Sequence, residues 1–313
     1  MILITGGLGY LGKKISENLL ISGFKIRLAT SRDNPTIPKN LSHCEIVKID
    51  LSNNKSLENA LKGIDEVIHL AALDASESEK DPNFAMRVNG LGTLNLLKMS
   101  ENAAIKKFIY FSTIHVYGSP LNGFLDEEYL PRPVHPYSIS HRVAEDFVLE
   151  TDSHTNISGI IFRLSNAVGS PENKECNSWK LVVNDLCKQV ILKKTMKLYS
   201  NQYLKRDFLP IASISKVLRS CLTNSEFNGQ IFNLSSGNSL SLEDLTHIIS
   251  KRTQKLFNFK PEIIFADRIS DKNPKNDLII SNSKLKSTGI KIESDLTEEI
   301  DNILLNCKAW FIE

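Results

Sequence analysis

From the first residue, short apolar runs alternate with longer stretches in which apolar side chains recur every three or four positions. The runs at 2–5, 25–29, 45–49, 66–71, 107–112 and 159–164 predict strands, and those at 11–22, 56–61, 84–102 and 137–150 predict helices between them. The strand segments are apolar on both faces, as strands buried on both sides require, whereas each helix needs a single stripe. The pattern predicts an α/β chain built on a Rossmann-type, doubly wound parallel sheet over residues 1–165. After Leu164 the rhythm loosens into Lys-rich and Asn-rich stretches, with one more strand-like run at Ile231–Leu234 and a last helix near 297–307. A smaller mixed α/β lobe is expected over 166–313. The first domain takes back a strand and a helix from about 212–235, and a cleft separates the two lobes.

Composition acts mainly by exclusion. The 313 residues carry Lys+Arg 38 against Asp+Glu 36, a net charge of +2, and no basic block interleaved with aromatics. That leaves no electrostatic footprint for a nucleic-acid binder or a membrane-surface protein. The chain opens without a cationic leader and has no apolar run of spanning length, so a cytoplasmic protein is expected. Its five cysteines, Cys44, Cys176, Cys187, Cys221 and Cys307, are scattered, odd in number and without a Cys-x-x-Cys. They read as packing thiols, with no metal site.

The chemistry begins at Thr5-Gly6-Gly7-Leu8-Gly9-Tyr10-Leu11-Gly12, between the first strand and the first helix. Gly6, Gly9 and Gly12 permit a tight turn and close approach of backbone amides to a pyrophosphate. Tyr10 and Leu11 open the helix whose dipole then faces that charge. A purely structural turn is the alternative, but the strand-to-helix context favours a dinucleotide. The second strand ends in Thr30, Ser31 and Arg32, where a free ribose hydroxyl usually meets a carboxylate; a 2′-phosphate suits this end better, so NADP is favoured over NAD. Alternatively, Arg32 is a solvated cation and Asp33 takes the ribose. Asp50 and Leu51 follow the third strand, where adenine would lie. Leu70, Ala71 and Ala72 follow the fourth, beside the pyrophosphate and nicotinamide ribose.

With Phe111-Ser112-Thr113-Ile114-His115-Val116-Tyr117-Gly118 and Pro136-Tyr137-Ser138-Ile139-Ser140-His141, the chain resembles the extended short-chain dehydrogenase/reductases, in their nucleotide-sugar epimerase, reductase and dehydratase branch. Asn89-Gly90-Leu91-Gly92-Thr93, Phe162-Arg163-Leu164-Ser165-Asn166, Arg206-Asp207-Phe208 and Ile231-Phe232-Asn233-Leu234-Ser235-Ser236-Gly237 extend the resemblance over nearly the whole length. It implies Tyr137 as acid/base, Thr113 as its hydroxyl partner with Ser112 as substitute, and Asn89 as a cofactor contact. It also implies Asn166 and Arg206 on a nucleotide-diphosphate sugar, with Arg206 inside a cationic stretch of Lys193, Lys194, Lys197 and Lys205. A phenol that delivers a proton to a developing alkoxide, beside a fixed hydroxyl, suits hydride transfer at a sugar carbon, most simply carbon 4.

Three departures bear on activity. The family lysine four residues after the tyrosine, which binds the nicotinamide ribose and lowers the phenol's pKa, is here His141; a histidine can still hydrogen-bond that ribose, so the resemblance implies Tyr137 and His141 as cofactor contacts, but it lacks a permanent charge to act on the phenol. The enzyme then uses a histidine relay, works mainly in the reducing direction, or is a catalytically weak dinucleotide-binding sensor. The dehydratases' acidic pair is Ile114 and His115, which argues against water elimination and leaves His115 as a substrate-facing donor or a satisfied histidine. The family's aspartate-rich turn is Ile211-Ala212-Ser213-Ile214-Ser215, so the helix after it is less secure. The resemblance also implies a homodimer through the helices at 84–102 and 137–150, with Met86, Leu94, Leu97, Val143 and Phe147 as candidate apolar stripes.

Overall fold

The computed structural model describes residues 1–171, 174, 176–265 and 277–312. Seven strands form one sheet: β1 (Ile2–Thr5), β2 (Ile26–Thr30), β3 (Glu45–Lys48), β4 (Glu66–His69), β5 (Lys107–Thr113), β6 (Ser158–Leu164) and β7 (Ile231–Leu234). All pairings are parallel, in the order β7-β6-β5-β4-β1-β2-β3. The chain reverses direction across the sheet between β1 and β4, and at such a reversal a crevice opens outside the strand ends. In β5, Phe108 and Tyr110 enter one apolar cluster while Ile109 and Phe111 enter the other, so both faces are covered. The period-two alternation of a strand is thus present but hidden, because neither face is polar.

One sheet face is covered by the helix Tyr10–Ile21 and by the helix Ile211–Thr223, which buries Ile211, Ile214, Val217 and Leu218. That apolar spacing forms the helix without the family's aspartate-rich turn. The other face is covered by Asn54–Leu61, Gly92–Asn102 and Pro136–His154. The expected single helix over 84–102 is divided: Pro82–Ala85, a wide π-type turn over Met86–Leu91, then Gly92–Asn102. The extra residue turns Asn89 inward, and π-bulges commonly sit beside functional sites.

The smaller lobe packs Val182–Lys193, Leu242–Phe257 and Thr297–Phe311 around Val183, Leu186, Leu245, Ile249, Ile300 and Leu304. A three-stranded sheet of Asn166–Val168, Lys205–Pro210 and Ser239–Ser241 joins this lobe to the first. No helix among the described residues is long and apolar enough to cross a membrane.

Candidate active site

The glycine loop meets the end of β4. A Cβ on Gly12 would lie 2.2 Å from the Gly6 carbonyl oxygen, and one on Gly6, whose φ is +65°, would lie 3.0 Å from the Ala71 nitrogen. Only glycine fits either place. Gly9 caps the first helix without a side-chain hydrogen bond, leaving its amino-terminal N–H groups for an anion. The Thr5 hydroxyl oxygen accepts from the Leu70 and Ala71 amides at 3.2 Å each and fixes the opposite lip. Ala72 follows them.

At the far end of this crevice, Arg32 is exposed beyond β2, while Asp33 pairs with Lys48 of β3. Asp50 is turned onto its own loop, accepting from the Ser52 amide at 2.9 Å and the Ser52 hydroxyl at 2.7 Å. Leu51 packs under Gly92, where a Cβ would come within 3.0 Å of it. Thr30 is buried, with its hydroxyl oxygen accepting from the Arg32 amide, and Ser31 is exposed.

A cleft of about 640 Å³ opens between the lobes, lined among others by Tyr10, Leu11, Ser112, Thr113, His115, Tyr137, Asn166 and Arg206. These residues arrive from β1's loop, the end of β5, the start of the helix Pro136–His154, and the lobe strands. The Thr113 hydroxyl is hydrogen-bonded to Tyr137. Burial pushes the Tyr137 hydroxyl up to about 12, with the Thr113 bond acting against that rise, so it is protonated at neutral pH. The Ser112 hydroxyl is buried without a partner among the described residues. Arg206 reaches the cleft with no carboxylate near it among the described residues, and burial lowers its pKa. An unpaired, largely desolvated guanidinium favours an anion there. His115 is exposed to the cleft, whose walls, with Arg206 and His135, hold its pKa below the ordinary value.

The structure also places the other residues that the sequence singled out. His141 carries no positive charge: it is 2% exposed and burial drops its pKa to about 3. Asn89 is 1% exposed and braces the site from behind, accepting from the Leu73 amide at 2.8 Å and donating to the Ser140 hydroxyl at 3.0 Å. Of the cationic stretch only Arg206 lines the cleft; Lys194 lies over Phe259, Lys197 over Tyr199, and Lys205 is 3.7 Å from Asp277. Leu97 is buried in the sheet core and is no part of an outer stripe.

Other residues enter that the sequence did not single out. Asp74 caps the helix Ala75–Lys80 and pairs across the cleft with Lys180 at 3.6 Å. His135 caps the helix Pro136–His154, its Nδ1 accepting from the Tyr137 amide at 3.2 Å, and so sets where Tyr137 begins. Asp-x-x-Glu at 74–77 was a legible capping signal, but nothing local placed Lys180 opposite it. The Tyr10 hydroxyl donates to the Gly169 carbonyl at 2.7 Å, tying the first helix to the second lobe.

The family model described as "NAD dependent epimerase/dehydratase family" matches residues 2–235. The rice (Oryza sativa subsp. japonica) UDP-glucose 4-epimerase 4 is 27% identical over 289 residues, covering 81% of this chain and 77% of the relative. The mouse (Mus musculus) dTDP-D-glucose 4,6-dehydratase is 24% identical over 307 residues, covering 93% and 83%. The solved UDP-glucose 4-epimerase of Thermotoga maritima, with UDP-glucose, superposes at a TM-score of 0.82 with 20% identity and 98% of each chain covered. With the glycine crevice, the Thr113–Tyr137 pair and a family match over most of its length, this chain belongs to the NAD-dependent epimerase/dehydratase family.

Proposed function

We propose that the protein is a nicotinamide-dependent oxidoreductase of nucleotide-diphosphate sugars, acting at carbon 4, as a ketoreductase in preference to an epimerase. The observation that carries this is the protonated Tyr137, hydrogen-bonded to Thr113, with no cation beside it among the described residues. Such a phenol starts as a proton donor, which reduction needs, whereas an epimerase must first take a proton from the sugar hydroxyl.

The glycine crevice fits a dinucleotide, because it is the loop a Cβ would fill. Backbone amides of 6–12 would hold the pyrophosphate, Leu70, Ala71 and Ala72 would flank it, and Asp50 and Leu51 would border the adenine. The exposed Arg32, with Asp33 already paired to Lys48, supports a 2′-phosphate and hence NADP. When bound, the reduced nicotinamide supplies the hydride that converts a 4-ketone to an alkoxide. Thr113 orients the ketone oxygen, Tyr137 gives its proton to that oxygen, and solvent restores the phenol. Arg206 grips the diphosphate, with Asn166 and His115 beside the sugar. Dehydration is disfavoured in this reading: Ile114 is buried and Asp74 is occupied by its helix cap and Lys180.

The protein as purified is denatured and any released nucleotide identified, and the emptied protein is titrated with NADH and NADPH. Preferred NADPH binding and turnover of a nucleotide-4-keto-sugar support the proposal, and Tyr137→Phe then lowers turnover by roughly 10²–10⁴ with NADPH binding retained. Tightly retained NAD(H) points to an epimerase that recycles its cofactor, and an unaffected Tyr137→Phe to a sensor or scaffold. We also propose a homodimer through the exposed apolar side chains Phe84, Leu91 and Ile139, flanked by the half-buried Met86, Val143 and Phe147.

A further inference from the structure

Two imidazoles pack on the ring of Tyr110, His69 at 5.7 Å and His141 at 5.8 Å between centroids. Both are almost fully buried, but their hydrogen bonding differs. His69 is saturated. Thr93 donates to the Asn89 carbonyl at 2.6 Å, so its oxygen accepts from His69 Nε2 at 3.0 Å, and His69 Nδ1 accepts from the Thr5 hydroxyl at 2.6 Å. His141 is half satisfied: Nδ1 meets the Tyr110 hydroxyl at 2.6 Å, and Nε2 is buried with no partner among the described residues.

We infer that Tyr110 is a positioning residue that locks His141 as its neutral Nε2–H tautomer and thereby fixes that a single N–H donor, one helical turn below Tyr137, is what this chain offers to the nicotinamide ribose that the family resemblance already places against this position. The assignment follows from counting unpaired groups. If the Tyr110 O–H donates to Nδ1, the only orphan is the Nε2–H. If instead Nδ1 carries the proton, the Tyr110 hydrogen and the Nε2 lone pair are both stranded, since no other acceptor for that hydroxyl is found among the described residues. Buried polar groups pair wherever they can, so the first arrangement prevails. The ring that carries the remaining N–H packs on Tyr137, 4.5 Å between ring centroids, and Tyr137 lines the cleft, so a buried donor left open lies one side chain from the ligand space and costs free energy until an acceptor reaches it. The donation to ribose rests on the function proposed above; the tautomer does not.

The test uses the full-length protein with ¹⁵N-labelled histidine, the His141 signals being assigned by their loss in His141→Gln. Wild type is expected to show a protonated Nε2 and an unprotonated Nδ1, and Tyr110→Phe a mixture of tautomers. NADPH binding to Tyr110→Phe should weaken about tenfold, and addition of NADPH to wild type should shift the Nε2–H resonance. A wild-type His141 protonated on Nδ1, a tautomer unchanged in Tyr110→Phe, or an Nε2–H resonance that ignores bound NADPH overturns the inference. Failure of wild type to bind either nucleotide, with the Nε2–H tautomer in place, overturns the cofactor reading of the preceding section and the ribose contact with it, while the Tyr110–His141 lock stands.

Discussion

The buried imidazoles His69 and His141 make the folded state refuse protons that the unfolded chain accepts. Burial holds both near a pKa of about 3, and an unfolded histidine titrates near ~6.5. Stability is therefore full above about pH 6.5 and declines as pH falls toward about 3, by about 1.4 kcal/mol per unit for each ring. Between pH 7 and pH 5 the two together remove up to about 4 kcal/mol. Glu66 and Glu127, whose pKa values burial raises, offset part of this, because they bind protons more readily in the folded state. Urea unfolding at the two pH values measures the loss, and the double variant His69→Asn, His141→Asn should abolish most of it. A slope that survives this change assigns it to other groups. The sequence showed that His141 replaces a lysine, but it could not show that its ring turns to Tyr110. That partner lies on β5, a different element from the helix that carries His141, at a separation no local pattern reports.

Among the elements, the glycine loop and the helix Pro136–His154 carry the most structure-to-function information. Gly12→Ala places a methyl 2.2 Å from the Gly6 carbonyl, so the first helix must move away from the loop. We expect a loss of roughly 1–3 kcal/mol in stability and a disproportionate loss of dinucleotide affinity, measured by thermal unfolding and NADPH titration. In the helix Pro136–His154, Glu145 is fully buried, and its carboxylate accepts from Arg163 at 3.0 and 2.9 Å. Arg163 in turn donates to the Tyr117 hydroxyl at 3.1 Å, linking this helix to β6 and to the turn after Thr113. Glu145→Ala leaves that guanidinium buried and uncompensated and should cost about 3–5 kcal/mol. Replacing both partners with apolar residues of similar volume should cost markedly less, as thermal unfolding of the two variants would show. The strands and helices of the first domain were legible because each repeats a period several times. The short strands at Asn166–Val168 and Ser239–Ser241 were not, since three residues carry no period and their partners are distant in the chain. Asp74, Lys180 and His135 escaped for a related reason: caps and loops are positioned by the elements around them.

The first domain also leaves apolar side chains in water at the scale of the whole molecule. Phe84 and Leu91 are each 45% exposed and Ile139 is 38% exposed, around the place where the turn Met86–Leu91 meets the helix Pro136–His154. Gly90 permits that approach, since a Cβ there would lie 3.4 Å from Val143 Cγ1 and 3.0 Å from Met86 Sδ. The π-type turn thus has two consequences: it sends Asn89 inward to brace the cleft and leaves Leu91 outward. A twofold partner seated on this face would bury the helices that carry Tyr137 and His141, coupling assembly to the rigidity of the site. If that is how the protein assembles, Leu91→Asp combined with Ile139→Asp should shift the mass in sedimentation from twice the chain mass to the chain mass. Because neither side chain touches the sheet core, far-ultraviolet circular dichroism should stay unchanged, and NADPH affinity should fall less than turnover does. A wild-type monomer at micromolar concentration would instead assign this face to a different partner and remove assembly from the account of the active site.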